Sequence, residues 1–250
     1  VNKLKSKELR TEKILDLLSV EPEIRVSDIS QRLNISEVTI RKDLDYLARM
    51  KKVIRVHGGA RLIQNTRLTH NEADKLAIAQ AAQSLIDNND IISISSGSTC
   101  LHVCDAFQQK ENLLILTNSF AILNKIIHFE NVTTFFLGGK VNRQMQITTG
   151  SDLDEQLHKY TADKLFLGMD GVDPFQGATT YNYAEKDIMR EMMGQAKKKI
   201  LVADGSKIGK VTFAKIAELN EFDILITNCT PENEDKLKKI EEMGVEVIRA

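Results

Sequence analysis

Two short amphipathic stretches separated by a tight turn constrain this chain more than anything else in it. Residues 26–33 (Val-Ser-Asp-Ile-Ser-Gln-Arg-Leu) and 36–44 (Ser-Glu-Val-Thr-Ile-Arg-Lys-Asp-Leu) both carry apolar residues at helical spacing. In the second, Ile40, Leu44 and Leu47 recur at i, i+4, i+7 and define an inward face, which leaves Thr39, Arg41 and Lys42 on the other side. Ser27 and Ser36 stand just before the two runs. A side-chain oxygen there can accept a bond from an unpaired N–H of the first turn, so both are expected N-caps. Ile14, Leu17 and Leu18 upstream would complete a small helical core with Ile29, Leu33, Ile40, Leu44 and Leu47. Downstream, residues 53–56 and 60–63 read as short strands around His57, Gly58 and Gly59, the wing of a winged helix. A helix pair of this kind presents its second helix to a major groove. The residues expected to face DNA are Ser36, Thr39, Arg41 and Lys42, with Arg55 and His57 from the wing. Asp43 and Asp45 look out of place on such a helix. Asp45, four residues after Arg41, is expected to hold that guanidinium in position.

The charge distribution supports this reading. Residues 1–61 carry 14 Lys and Arg against 9 Asp and Glu, whereas residues 62–250 carry 20 against 26. A basic head on an acidic body suits phosphate contact through the head alone, because the body would repel the duplex. Polar residues 64–70 lack periodicity. The expected division is a head at 1–61, a linker at 62–72 and an effector-sensing domain at 73–250. No apolar run approaches the roughly 18 residues of a membrane span, and the charged start lacks the apolar core of a signal peptide. A soluble, cytoplasmic protein is expected, with no membrane partner. Three cysteines make an odd count and argue against a disulfide framework. Cys100 and Cys104 share a helix face, but His102 lies roughly 200° round from Cys100, so the trio suits a core better than a metal. No metal or cofactor is expected.

Beyond the linker, short β-branched runs alternate with amphipathic helices: 91–94, 113–116, 132–137, 165–167, 200–203, 224–226 and 245–248. Buried strands separated by helices imply a largely parallel sheet covered on both faces, so the fold class is α/β, a winged helix-turn-helix joined to a mostly parallel sheet. Ligands of such sheets bind outside the carboxyl ends of the strands. The first of those ends carries Ser95, Ser96, Gly97, Ser98 and Thr99 before a helix, a small-residue loop whose N–H groups and hydroxyls fit a phosphate or carboxylate. A tight strand-to-helix turn that needs Gly97 only for its backbone is the alternative. Other strand ends add Thr117 to Ser119, Gly138 to Lys140, Asp170 to Asp173 and Asp204 to Lys207, which would converge on one rim.

Together these motifs resemble the DeoR-type bacterial transcriptional regulators. Arg10, the stretch 36–44 and the His57-Gly-Gly turn are similar to the family's head. The runs at 96–99, 116–119, 137–139, 170–172 and 203–207 are similar to its sensor domain. The resemblance implies a repressor of a sugar or carbohydrate catabolic operon, controlled by a phosphorylated sugar. It also implies a sensor similar in fold to ribose-5-phosphate isomerase. On that match the phosphate loop corresponds to Ser96–Thr99 and the paired aspartates to Asp170 and Asp173. The base glutamate corresponds to Glu185 and the late lysine to Lys207. The isomerase's catalytic lysine between aspartates and glutamate has no counterpart in residues 174–184. Without an electrophile for the enediolate oxygen, turnover is disfavoured, although Lys186 lies close in sequence. The expected effector ligands are Ser95, Ser96, Gly97, Ser98, Thr99, Asp170, Glu185 and Lys207. Asp170 can instead cap a turn, Glu185 open a helix and Lys207 pair with Asp204. The alternative function is a phosphosugar isomerase or lactonase carrying a DNA-binding head. One reading helix per chain and two-fold operators imply at least a homodimer.

Overall fold

A computed structural model describes residues 7–21, 23–50, 52–56, 58–62 and 72–250. The chain divides into two compact units, residues 1–70 and 71–250. His57 and His70 lie outside the described residues, and so does most of the expected linker.

The first unit contains α1 (Lys7–Val20), β1 (Glu23–Arg25), α2 (Val26–Leu33), α3 (Glu37–Arg49), β2 (Val53–Val56) and β3 (Gly59–Leu62). Ile14, Leu18, Ile29, Ile40, Leu44 and Leu47 meet in one buried cluster, the helical core expected from their spacing, with Leu17 and Leu33 partly buried against it. The strands form an antiparallel sheet in the order β1-β3-β2. β1 was not expected. It pairs Arg25 with Gly59, and a side chain at Gly59 would run into the carbonyl oxygen of Ile24. The wing glycine is therefore there to let a third strand approach. Ser27 is not a cap: α2 already begins at Val26, Arg25 occupies the cap position without a side-chain bond, and Ser27 Oγ donates to Asp28 at 3.1 Å. Val26 is 1% exposed, and drawing it into the core starts the helix early. The turn into α3 closes on Asn34, which takes the left-handed conformation at φ 54°, and on Ser30 Oγ, which donates to the Ile35 carbonyl at 2.6 Å.

The second unit begins with α4 (Glu72–Gln83), β4 (Ile91–Ile94), α5 (Ser98–Val103), β5 (Leu113–Thr117), α6 (Phe120–Ile126) and β6 (Val132–Phe136). A hairpin of β7 (Lys140–Asn142) and β8 (Ile147–Thr149) follows, then α7 (Ser151–Leu157), β9 (Ala162–Gly168), β10 (Gly171–Asp173), β11 (Gly177–Thr180) and α8 (Tyr183–Gly194). The unit ends with β12 (Ala196–Val202), β13 (Ala214–Ala217), β14 (Ile224–Thr227), α9 (Glu234–Glu242) and β15 (Glu246–Arg249). Seven strands form one sheet, β15-β14-β12-β9-β4-β5-β6, in which every pairing is parallel. All seven coincide with the apolar runs read from the sequence.

Alternate residues of these strands enter opposite cores. Phe166, Ile200, Val202, Ile224 and Ile226 pack with Ile78, Cys100, Cys104, Phe107 and Ile122. Leu165, Leu167, Leu201 and Leu225 pack with Leu153, Met189, Met192, Leu237 and Ile240 on the other side. Helices α4–α6 thus cover one face and α7–α9 the other. Both faces of the inner strands β4, β5, β9 and β14 are largely buried, which is why these strands read as apolar runs, whereas the edge strands β6 and β15 are partly exposed. Cys100 and Cys104 are core residues, fully buried. Burial pushes the Cys100 thiol up to about 11, so it stays protonated and inert. Among the described residues no helix is long and apolar enough to cross a membrane.

The chain builds β4, β5 and β6 outward, then returns to lay β9 on the other flank of β4. The order reverses between β4 and β9, and the crevice outside their carboxyl ends is where such sheets bind ligands.

One ion pair in the head joins α1 to α3 with its carboxylate buried. Arg10 donates to both oxygens of Asp43, from Nε at 2.8 Å and from Nη2 at 3.1 Å, and the Asp43 side chain is 3% exposed. Removing one partner of such a pair leaves a buried charge uncompensated. Arg10→Ala in the full chain is expected to destabilise the head by about 3 kcal/mol. Hydrogen exchange of α1–α3 amides measures this. Unchanged protection in the mutant would show that the pair contributes nothing.

Candidate functional site

The outer face of α3 is the first candidate surface. Ser36 caps it, with Oγ accepting the Thr39 N–H at 3.3 Å and lying 2.9 Å from Thr39 Oγ1. The two hydroxyls thus organise the helix start as a pair. Arg41 is exposed, and its Nη2 donates to Glu37 at 3.1 Å. Lys42 is exposed and makes no ion pair among the described residues. The expected Arg41–Asp45 contact is not formed. Asp45 instead pairs with Arg55 Nε at 3.0 Å, and Arg55 Nη1 donates to the Gly59 carbonyl at 3.0 Å. Arg55 therefore ties the wing to α3. Asp43, the other carboxylate in question, faces inward to Arg10.

The second candidate is the rim at the switch point. Ser95 is buried, its N–H donates to the Phe166 carbonyl at 3.1 Å, and its Oγ accepts the Gly168 N–H at 3.1 Å. It joins β4 to β9 and has no hydroxyl to spare for a ligand. Ser96 Oγ donates to Glu185 Oε1 at 2.6 Å, drawing the start of α8 to the loop. Gly97 sits at φ 125° with no heavy atom within 4 Å of where a Cβ would stand. Its backbone needs glycine, and the space above it is open. Ser98 and Thr99 open α5, and their hydroxyls make no hydrogen bond among the described residues. Ser98 is half-buried and Thr99 buried.

Asp170 Oδ2 accepts Thr180 Oγ1 and the Tyr181 N–H, each at 3.0 Å. One oxygen thus ties the β9–β10 connection to the end of β11, rather than capping its own turn. Asp173 Oδ1 accepts the N–H groups of Phe175 and Gln176 and belongs to its own hairpin turn. Thr117, Asn118 and Ser119 are also structural. Thr117 donates to Ile94, Asn118 to the Thr148 carbonyl, and Ser119 caps α6. Asn182 Nδ2 contacts Met145 Sδ, so the β7–β8 hairpin reaches across to the start of α8. Lys207 ends the 3-10 turn Gly205–Lys207, which Asp204 caps by accepting the Ser206 N–H at 3.1 Å.

Sequence reasoning missed Lys75. It lies in the first turn of α4, is 3% exposed, and interacts electrostatically with Asp204, Glu72 and Lys207. Burial pulls its pKa below the ordinary lysine value, and Asp204 and Glu72 only partly offset this. A signal existed: Lys75 falls on the same helix face as Ile78, Ala79 and Ala82, all buried. A lysine on an apolar stripe is an exception that calls for a partner.

Comparison with known proteins decides the family. The DeoR C terminal sensor domain matches residues 70–229, and the DeoR-like helix-turn-helix domain matches residues 10–66. The chain belongs to the DeoR family. It is 32% identical to the HTH-type transcriptional repressor GlcR of Bacillus subtilis (strain 168), over 94% of this chain and 93% of that protein. It is 31% identical to the lactose phosphotransferase system repressor of Streptococcus mutans, over 94% and 96%. Among solved structures it is similar to ribose 5-phosphate isomerase A of Methanocaldococcus jannaschii, at 18% identity, TM-score 0.40 and 55% of each chain. As a DeoR-family member the chain is a DNA-binding transcriptional regulator, not an enzyme.

If Arg41 reads a base edge with both guanidinium nitrogens, Arg41→Ala is expected to weaken operator binding by roughly 1–3 kcal/mol while sparing non-specific DNA. Gel-shift titration against operator and scrambled duplexes separates this from a phosphate contact, which would weaken both alike and flatten the salt dependence.

Proposed function

We propose that this DeoR-family chain represses a sugar or carbohydrate catabolic operon and that a phosphorylated sugar, bound at the switch-point rim, controls it. The relatives named above support the first part. The second rests chiefly on Lys75. A buried cation whose pKa is lowered by burial is incompletely compensated, and an anion brought beside it recovers that lost stabilisation. Lys207 adds a second positive charge at the same strand end, and Ser98 and Thr99 supply hydroxyl donors. In this reading the phosphate lies among Ser98, Thr99, Lys75 and Lys207. The open space at Gly97 lets it approach the backbone. Asp170 and Glu185 take hydroxyls of the sugar, in competition with the groups they already accept from.

The regulator acts in the cytoplasm, where its operator lies, and as at least a homodimer, because a two-fold operator needs two reading helices. The effector changes DNA affinity only if it prefers one arrangement of the protein. Its coupling must therefore appear equally as DNA weakening effector binding.

Calorimetry and operator titration with a panel of sugar phosphates and their unphosphorylated parents test this. A phosphate ester is expected to bind and the parent to bind far more weakly. Lys75→Met should weaken effector binding about 10- to 100-fold, the scale of one charge-assisted hydrogen bond. Ser98→Glu should hold the operator and ignore the effector. Equal binding of parent and phosphate, or a normal response in Ser98→Glu, would remove the phosphate assignment.

A further inference from the structure

Val38 is 65% exposed, more than any other large apolar side chain described in the head; Met50 and Ile54 follow at 54% and 52%. It is the second residue of α3. Counting about 100° per residue from Val38, Arg41, Lys42, Asp45 and Arg49 fall within about 60° of it. All four are exposed. The buried residues Ile40, Asp43, Leu44 and Leu47 occupy the opposite side. Among the described residues of α3, Val38 is therefore the apolar group on the charged outer face, one turn from Arg41 and Lys42.

Among the described residues of the head, none explains a valine there. It packs into no core, and a β-branched side chain is a poor helix former at an exposed site. A single exposed apolar residue needs no explanation in general. This one lies in the first turn of the helix whose N-terminal residues meet base edges in such a motif. Valine has no donor or acceptor for a base. The apolar feature of the major groove is the 5-methyl group of thymine. Cytosine at the same place would offer an amino group that valine cannot satisfy, so its desolvation would go uncompensated.

We infer that Val38 selects thymine in each operator half-site through contact with the 5-methyl group, beside the base read by Arg41. The inference rests on α3 as the groove-entering helix. Arg41 lies three residues after Val38, so about one helical turn separates the two readers, and Arg41 Nη2 also donates to Glu37 at 3.1 Å.

The test begins by selecting operator duplexes from a random pool with the full-length protein. Each thymine is then replaced singly by deoxyuridine, which removes only the methyl group. Gel-shift titration is expected to show one position per half-site where the replacement weakens binding about three- to tenfold, the scale of one buried methyl. Val38→Ala should bind the thymine operator about as weakly as the wild type binds the deoxyuridine one. It should lose sensitivity at that position and keep it elsewhere. Val38→Thr, which retains a methyl group, should preserve part of the effect. A flat deoxyuridine scan, or Val38→Ala still sensitive at the same position, overturns the inference. Arg41→Ala separates the two levels. If it weakens operator binding while the scan is flat, only the Val38 assignment fails. If it leaves binding unchanged, α3 is not the reading helix and the inference falls with it.

Discussion

The sensor domain depends on the chain's return to its own first strand. After building β4, β5 and β6 in one direction, it must cross back and seat β9 against β4. Ser95 fastens that junction, giving its N–H to Phe166 and receiving the N–H of Gly168. Gly168 cannot easily be larger, because a Cβ would approach Cys100 Sγ at 3.3 Å and the Ser96 carbonyl at 3.5 Å. The junction thereby sets the direction in which the next residues leave the sheet. Ser96 turns to Glu185, Gly97 takes a conformation reserved for glycine, and Ser98, half-buried, and Thr99, buried, open α5. A one-residue slip in the pairing of β4 with β9 would undo all of this, and both cores oppose it, since alternate residues of β9 enter opposite faces.

The head solves a different problem, how to carry carboxylates on a helix that meets phosphate. Each acidic residue of α3 is matched by a cation, two of them from elsewhere in the unit. Asp43 is turned inward to Arg10 of α1, Asp45 outward to Arg55 of β2, and Glu37 along the helix to Arg41. The exposed pairs contribute little to stability. Their value is geometric, since Arg55 links the wing to α3 and Glu37 limits where Arg41 can point. The buried pair is the one whose loss would be felt in folding.

How much of this was legible follows from the same physics. The inner parallel strands were plain because burial on both faces demands apolar runs, and the edge strands β6 and β15, partly exposed, still carry enough β-branched and aromatic residues to show. The helix pair was plain because its inward residues repeat at helical spacing. β1, the β7–β8 hairpin and the β10-β11-β13 sheet were not, being three- and four-residue pieces whose identity comes from pairing. Gly59 illustrates this: it read as a turn residue, but its constraint is the β1 backbone beside it. Lys75 escaped because lysine is ordinarily solvated, and only its place on a buried stripe marks it. Asp45 was matched to the wrong arginine because i, i+4 spacing cannot see Arg55, ten residues on and in another element. At the rim, the small-residue loop was found as a unit, but which hydroxyls were free depended on β9 and α8. Sequence distance hides both.

The rim's carboxylates are committed to structural roles. Proton shuttling between sugar carbons needs a base, an electrophile and carboxylates free to reach the substrate. Here Asp173 is held by the N–H groups of Phe175 and Gln176, and one oxygen of Asp170 by Thr180 and Tyr181. Residues 174–184 contain no lysine. Lys186, next in line, has its ammonium 5.9 Å from the Tyr183 ring centroid. Groups that would have to move protons instead pin the small antiparallel sheet and the start of α8. That arrangement suits a sensor, because a ligand that competes for Ser96, Glu185 or Asp170 must disturb the elements those groups hold. Fold similarity alone carries no activity. At this rim the acidic groups Asp170, Asp173 and Glu185 already serve as structural acceptors.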